Sequence, residues 1–118
     1  MKNELSPREK VKGTTTWEFV GRVGVDAGLM YLGDPCYVLG EDASSHVNSW
    51  SEFCDDPIMK KVDEFGAAVW GKGTGVVCST GFGDGSYDVF IKRTSDTGGW
   101  GTRVAEMKIV FIDENERD

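Results

Sequence analysis

The chain has 118 residues, and at about 150 residues per domain that leaves room for a single domain. Thirteen basic against 20 acidic side chains give a net charge of −7, and 39% of the residues are apolar; this excludes a disordered chain and one built to bind a polyanion. No Lys/Arg stripe and no stretch of about 18 apolar residues occurs, so neither nucleic acid nor membrane is expected as a partner.

Sixteen glycines is about twice the ordinary usage, without the period of collagen. Short runs of Val, Ile, Phe, Trp and Tyr between these glycines predict a mainly β (α+β) fold, an antiparallel β-sandwich or rolled sheet. The three cysteines, Cys36, Cys54 and Cys78, are odd in number and well separated, which suits a reducing compartment. The first residues are charged and carry no apolar signal core, so a cytosolic location is expected.

In chain order, residues 1–13 hold charge and almost no apolar side chains and read as a mobile arm. Residues 14–113 read as one β-rich domain and 114–118 as a charged tail. Trp17, Phe19, Val23 and Val25 alternate with polar residues, the pattern of a half-buried strand. Asp26-Ala27-Gly28 reads as a turn into Leu29–Leu32, an apolar run expected to be covered on both faces and to form a hairpin with the preceding strand. Gly33-Asp34-Pro35 ends it, because proline fixes its own φ and restricts the residue before it.

A helical insertion follows between the early and late strands. Val47, Trp50 and Phe53/Cys54 make an amphipathic stripe with Ser44 or Ser45 as its cap. Asp56-Pro57 opens a second helix with Met59, Val62 and Phe65 on one face and Gly66 as its stop. Strands are then predicted at Ala67–Trp70, at Thr74–Thr80 and from Tyr87, where Tyr87, Val89 and Ile91 alternate with Asp88, Phe90 and Lys92. Asp84-Gly85 is a strong hairpin signal. After a glycine-rich loop carrying Trp100, a last strand is expected over Thr102–Ile112, with Ala105, Met107, Ile109 and Phe111 on one face.

The constellations that carry chemistry are mostly incomplete. A Cys/His nucleophile pair has Cys36 as the best placed thiol and His46 as the single histidine, against the ordinary fate of free cysteines as small core hydrophobes. Three cysteines and one histidine lack the paired spacing of a zinc site. Gly81-x-Gly83-x-Gly85 precedes a strand, whereas a phosphate-binding glycine motif opens a helix. Asp84 and Asp88, with Asp26 or Asp34, offer oxygen ligands for Ca²⁺ but without the spacing of an EF-hand; a plain turn explains Asp84-Gly85. No pair among the acids stands out for glycoside hydrolysis. No cofactor is implied.

Aromatic placement says more. Phe82, Tyr87 and Trp100 lie in or beside glycine-rich loops, where a rigid sheet positions function, and with Arg103 they suggest a pocket or contact patch. The competing reading folds Trp100 back to plug the end of the sheet. Arg103, if buried, needs a carboxylate partner, for which Asp34 or Asp88 serves.

Three pieces also carry a family likeness: Gly33-Asp34-Pro35 closing an early strand, Gly85-Ser86-Tyr87-Asp88-Val89 opening a late one, and Arg103-Val104-Ala105 opening the last. Over Val20 to about Asp113 the chain resembles the bacterial and phage-associated family known as domain of unknown function 4241. It departs from that pattern at Asp88, where proline is expected, and at Cys36-Tyr37. The resemblance implies a compact β-rich domain and carries no activity.

The reading that results is a small cytosolic, non-enzymatic binding or interaction module for a small molecule or protein. Its candidate ligand-binding residues are Asp34, Cys36, Tyr37, Phe82, Asp84, Tyr87, Asp88, Trp100 and Arg103. The rivals are a cysteine-dependent or hydrolytic enzyme centred on Cys36 with His46 or Asp34, and an assembly protein docking an acidic surface on a basic partner.

Overall fold

The computed structural model describes residues 16–117, so the arm expected at 1–13 lies outside the described residues. In chain order the elements are β1 (Glu18–Val25), β2 (Leu29–Gly33), a 3-10 turn (Pro35–Tyr37), α1 (Trp50–Cys54), α2 (Ile58–Phe65), β3 (Ala67–Trp70), β4 (Gly75–Ser79), β5 (Gly85–Thr94), β6 (Arg103–Val110) and a 3-10 turn (Glu114–Glu116). The fold is mainly β, with two antiparallel three-stranded sheets ordered β1-β5-β6 and β2-β4-β3, and the helices inserted between β2 and β3. Contacts gather into two compact units, one from the chain's two ends, up to Val25 and from Asp84 onward, the other from Asp26–Gly83.

The expected hairpin of Trp17–Leu32 does not form. β1 pairs with β5 and β2 with β4, so the Asp26–Gly28 turn carries the chain from one sheet to the other. Asp84-Gly85 does the same between β4 and β5, which share no ladder. Turn chemistry fixes a local reversal of direction; it does not choose the neighbour.

In the first unit, β1 is interrupted by a bulge between Phe19 and Gly21. Phe19 pairs with Phe90 and Val23 with Tyr87, positions three apart on β5 and therefore on opposite faces. The odd-numbered apolar residues of β1 thus do not share one face as expected, because the extra residue inverts the alternation. Val25 and Tyr87 are buried, and the Tyr87 ring meets Phe111 edge-on at 5.3 Å. β6 is shorter than expected, and Met107 is half exposed.

In the second unit, register places Leu29 and Tyr31 on β2, Val77 on β4 and Ala68 and Trp70 on β3 on one face. Val62 of α2 packs there, closing a core of Val62, Trp70 and Val77. β2 is therefore covered on one face only: Leu32, on the other, is 49% exposed. Asp56 Oδ1 accepts the Ile58 N–H at 2.9 Å, and α2 stops at Gly66, whose φ of 91° suits a residue without Cβ. Val62 and Met59 of the expected apolar face pack inward, but Phe65 is exposed. The helix α1 starts later than expected. Ser49 caps it through the Glu52 N–H, because Ser45 is bound instead to the Thr74 hydroxyl at 2.8 Å.

Candidate functional site

An apolar groove of about 450 Å³ opens on the second unit. Its lining comes from three places in the chain: Tyr31 of β2 and Trp70 of β3; Val38, Val47, Asn48 and Ser49 of the long connection after β2; and Trp50 and Phe53 of α1. The four rings form a continuous series. Trp50 stacks on Phe53 at 5.6 Å and 23°, Phe53 meets Trp70 at 5.7 Å and 56°, and Trp70 meets Tyr31 edge-on at 5.6 Å and 85°.

Each ring has a local reason for its place. Gly33 and Gly75 are opposite one another on β2 and β4, and a Cβ at either would collide with the Tyr31 ring or hydroxyl. Tyr31 occupies the space these glycines leave open, and its hydroxyl donates to the Thr74 carbonyl at 3.0 Å. Trp70 is nearly fully buried, at 3% exposure, and its indole N–H has no acceptor among the described residues, a cost on the order of 1–3 kcal/mol. Trp50 and Phe53 follow from the helical stripe of α1, one turn apart. Trp50 remains 57% exposed at the rim.

The connection that supplies Val38, Val47 and Asn48 is held by His46. Its Nδ1 lies 3.0 Å from the Val38 carbonyl and its Nε2 3.0 Å from Asn48 Oδ1. The Glu52 carboxylate accepts the Asn48 N–H at 2.9 Å, tying the connection to α1. Chemically the site is a wall of rings and aliphatic groups, with Asn48 and Ser49 as its polar lining residues.

None of the nine residues singled out in the sequence lines this groove. Asp34, Cys36, Tyr37 and Phe82 belong to the groove-bearing unit and the other five to its neighbour. Asp34 accepts the Cys36 N–H at 3.0 Å and caps the 3-10 turn that carries Cys36 and the exposed Tyr37. The Cys36 thiol is exposed, and its pKa is pushed up by hydrogen bonding to the Asp34 carboxylate, by partial desolvation and by that carboxylate's charge. Phe82 is 77% exposed in the turn after β4.

In the other unit, the residues divide between the two ends of the sheet. Asp88 pairs with Val110 and Thr94 with Arg103, so Tyr87 and Asp88 lie about 20 Å along β5 from the loop of Trp100 and Arg103. Asp84 precedes β5. Arg103 is exposed, so the need for a carboxylate that burial would impose does not arise; its Nε donates to the Trp100 carbonyl at 2.9 Å and its guanidinium lies 5.6 Å from the Trp100 ring centre. Asp88 instead takes Arg22 at 2.8 Å. Trp100 does not plug the sheet: it is 71% exposed.

Among the described residues, no group of three His, Cys, Asp or Glu side chains is placed to hold a metal, and no helix is long and apolar enough to cross a membrane. Comparison with known proteins finds no matching family model, no similar curated protein and no similar solved structure.

Proposed function

We propose that this chain is a small cytosolic binding module whose recognition site is the aromatic groove of Tyr31, Trp50, Phe53 and Trp70. The carrying observation is the continuous series of four rings around about 450 Å³ of open space, a volume in the range of small-molecule sites. Binding sites of this kind combine apolar walls with a few polar groups for orientation, and Asn48 and Ser49 are placed for that.

The cysteine-centred alternative has less support. A nucleophilic thiol needs a depressed pKa, and Asp34 acts on Cys36 in the opposite direction. The ring nitrogens of His46 are engaged by Val38 and Asn48.

A fragment library screened by NMR against the full chain tests the proposal. Hits are expected to move the Trp50 and Trp70 indole signals together and to be lost in Trp50→Ala. That variant should stay folded, at a cost below about 1.5 kcal/mol for one exposed aromatic contact. Hits that cluster on the Trp100 loop and leave the Trp50 indole unmoved would refute the groove as the site.

A further inference from the structure

Charge is unevenly divided along the chain. Residues 26–83 carry nine carboxylates and three lysines, a net −6 of the whole chain's −7. Between Tyr31 and Met59, the stretch that supplies every groove-lining residue except Trp70, the carboxylates are Asp34, Glu41, Asp42, Glu52, Asp55 and Asp56. That stretch has no lysine or arginine. Glu52 is fixed at the groove's edge by its bond to the Asn48 N–H. The nearest basic residue in sequence to Trp70 is Lys72, in the turn after β3.

Aromatic rings attract cations through the negative potential of their faces, tryptophan most strongly. A negatively charged surround strengthens that attraction and draws cations toward the groove. The chemistry of the wall then selects the kind of cation. A primary ammonium brings three N–H donors, and with no carboxylate in the lining only Asn48 and Ser49 offer side-chain amide or hydroxyl acceptors there, so its desolvation would be compensated only in part. A quaternary ammonium has no N–H to satisfy and presents methyl groups that suit Val38, Val47 and the ring faces.

We infer that the groove binds the quaternary ammonium head of a small soluble ligand, held by cation–π contact with Trp50, Phe53, Trp70 and Tyr31 in the field of Glu52 and of the net negative charge of the segment that builds the groove. This rests on the groove being the recognition site, and it adds the chemical class of what enters.

The test titrates the full chain with choline and, separately, with 3,3-dimethylbutan-1-ol, its uncharged isostere, following the indole signals by NMR. Choline is expected to bind about tenfold more tightly than the alcohol, with its affinity falling as salt is raised and dropping about tenfold in Trp50→Ala. Equal or tighter binding of the alcohol would overturn the cationic ligand while leaving the groove as an apolar site. Failure of both probes to move the indoles would also overturn it, and the fragment screen then judges the groove independently. Two further arms separate the sources of the same head group: phosphatidylcholine vesicles and a peptide carrying trimethyl-lysine. Capture by either of these without binding of free choline would overturn a small soluble ligand.

Discussion

At Cys36 one side chain decides between two kinds of protein. The Asp34 carboxylate caps the 3-10 turn through the Cys36 N–H, and its acceptor oxygens and charge beside the thiol push the Cys36 pKa up, so the protonated form is favoured and less thiolate is present at any pH near 8. Iodoacetamide should therefore alkylate Cys36 in the native chain more slowly than a free cysteine at pH 8. Asp34→Asn keeps an oxygen for the cap but removes the charge, and the rate should rise toward the free-thiol value, read by mass spectrometry at Cys36. Wild-type alkylation faster than a free thiol would revive the cysteine-dependent enzyme. The same residue scale separates two aromatics that look alike in sequence. Tyr87 and Trp100 both adjoin glycines, yet Tyr87 is 8% and Trp100 71% exposed. The difference comes from the partner strand: Tyr87 lies where Val23 pairs and Phe111 reaches its ring, and neither neighbour is close in sequence.

Among the elements, β2 and β4 show how a sheet builds one wall of the groove. Gly33 and Gly75 pair across the ladder and leave the space in which Tyr31 lies. Gly75→Ala would place a methyl group against the Tyr31 ring and should destabilise the chain by about 1–3 kcal/mol through overpacking. The Tyr31 signals should shift and binding in the groove should weaken. Unchanged Tyr31 signals would show that the ring does not depend on this gap. The helices were more legible than the sheets. Asp56-Pro57 and Gly66 mark the ends of α2 by backbone chemistry that needs no distant partner. For α1 the stripe of Trp50 and Phe53 is visible, but the cap is Ser49 and not Ser45, since the Thr74 hydroxyl lies 29 residues from Ser45 and takes it.

Over the whole molecule, the two sheets share no strand and each unit has its own pairings. Residues 26–83 form an uninterrupted segment with the core of Val62, Trp70 and Val77 and the entire groove lining. This segment, produced alone, should unfold cooperatively in urea with a stability of about 3–5 kcal/mol, the range for a small single core. The Trp50 indole should keep its response to groove ligands. A gradual, non-cooperative loss of signal would show that the segment depends on the rest of the chain.

Composition and period were enough to establish a mainly β chain and two short helices, because those properties depend on neighbours within a few residues. Tertiary structure alone decided that β1 and β2 part company, that the β1 bulge inverts its faces, and that the candidate residues at Tyr87 and Trp100 lie at opposite ends of one sheet. It also assembled Tyr31, Trp50, Phe53 and Trp70, which in the sequence look like ordinary strand and helix residues. The physical reason is that strand pairing is a long-range choice: local chemistry tells a segment to extend or turn, while burial against a distant partner determines which side chains share a surface.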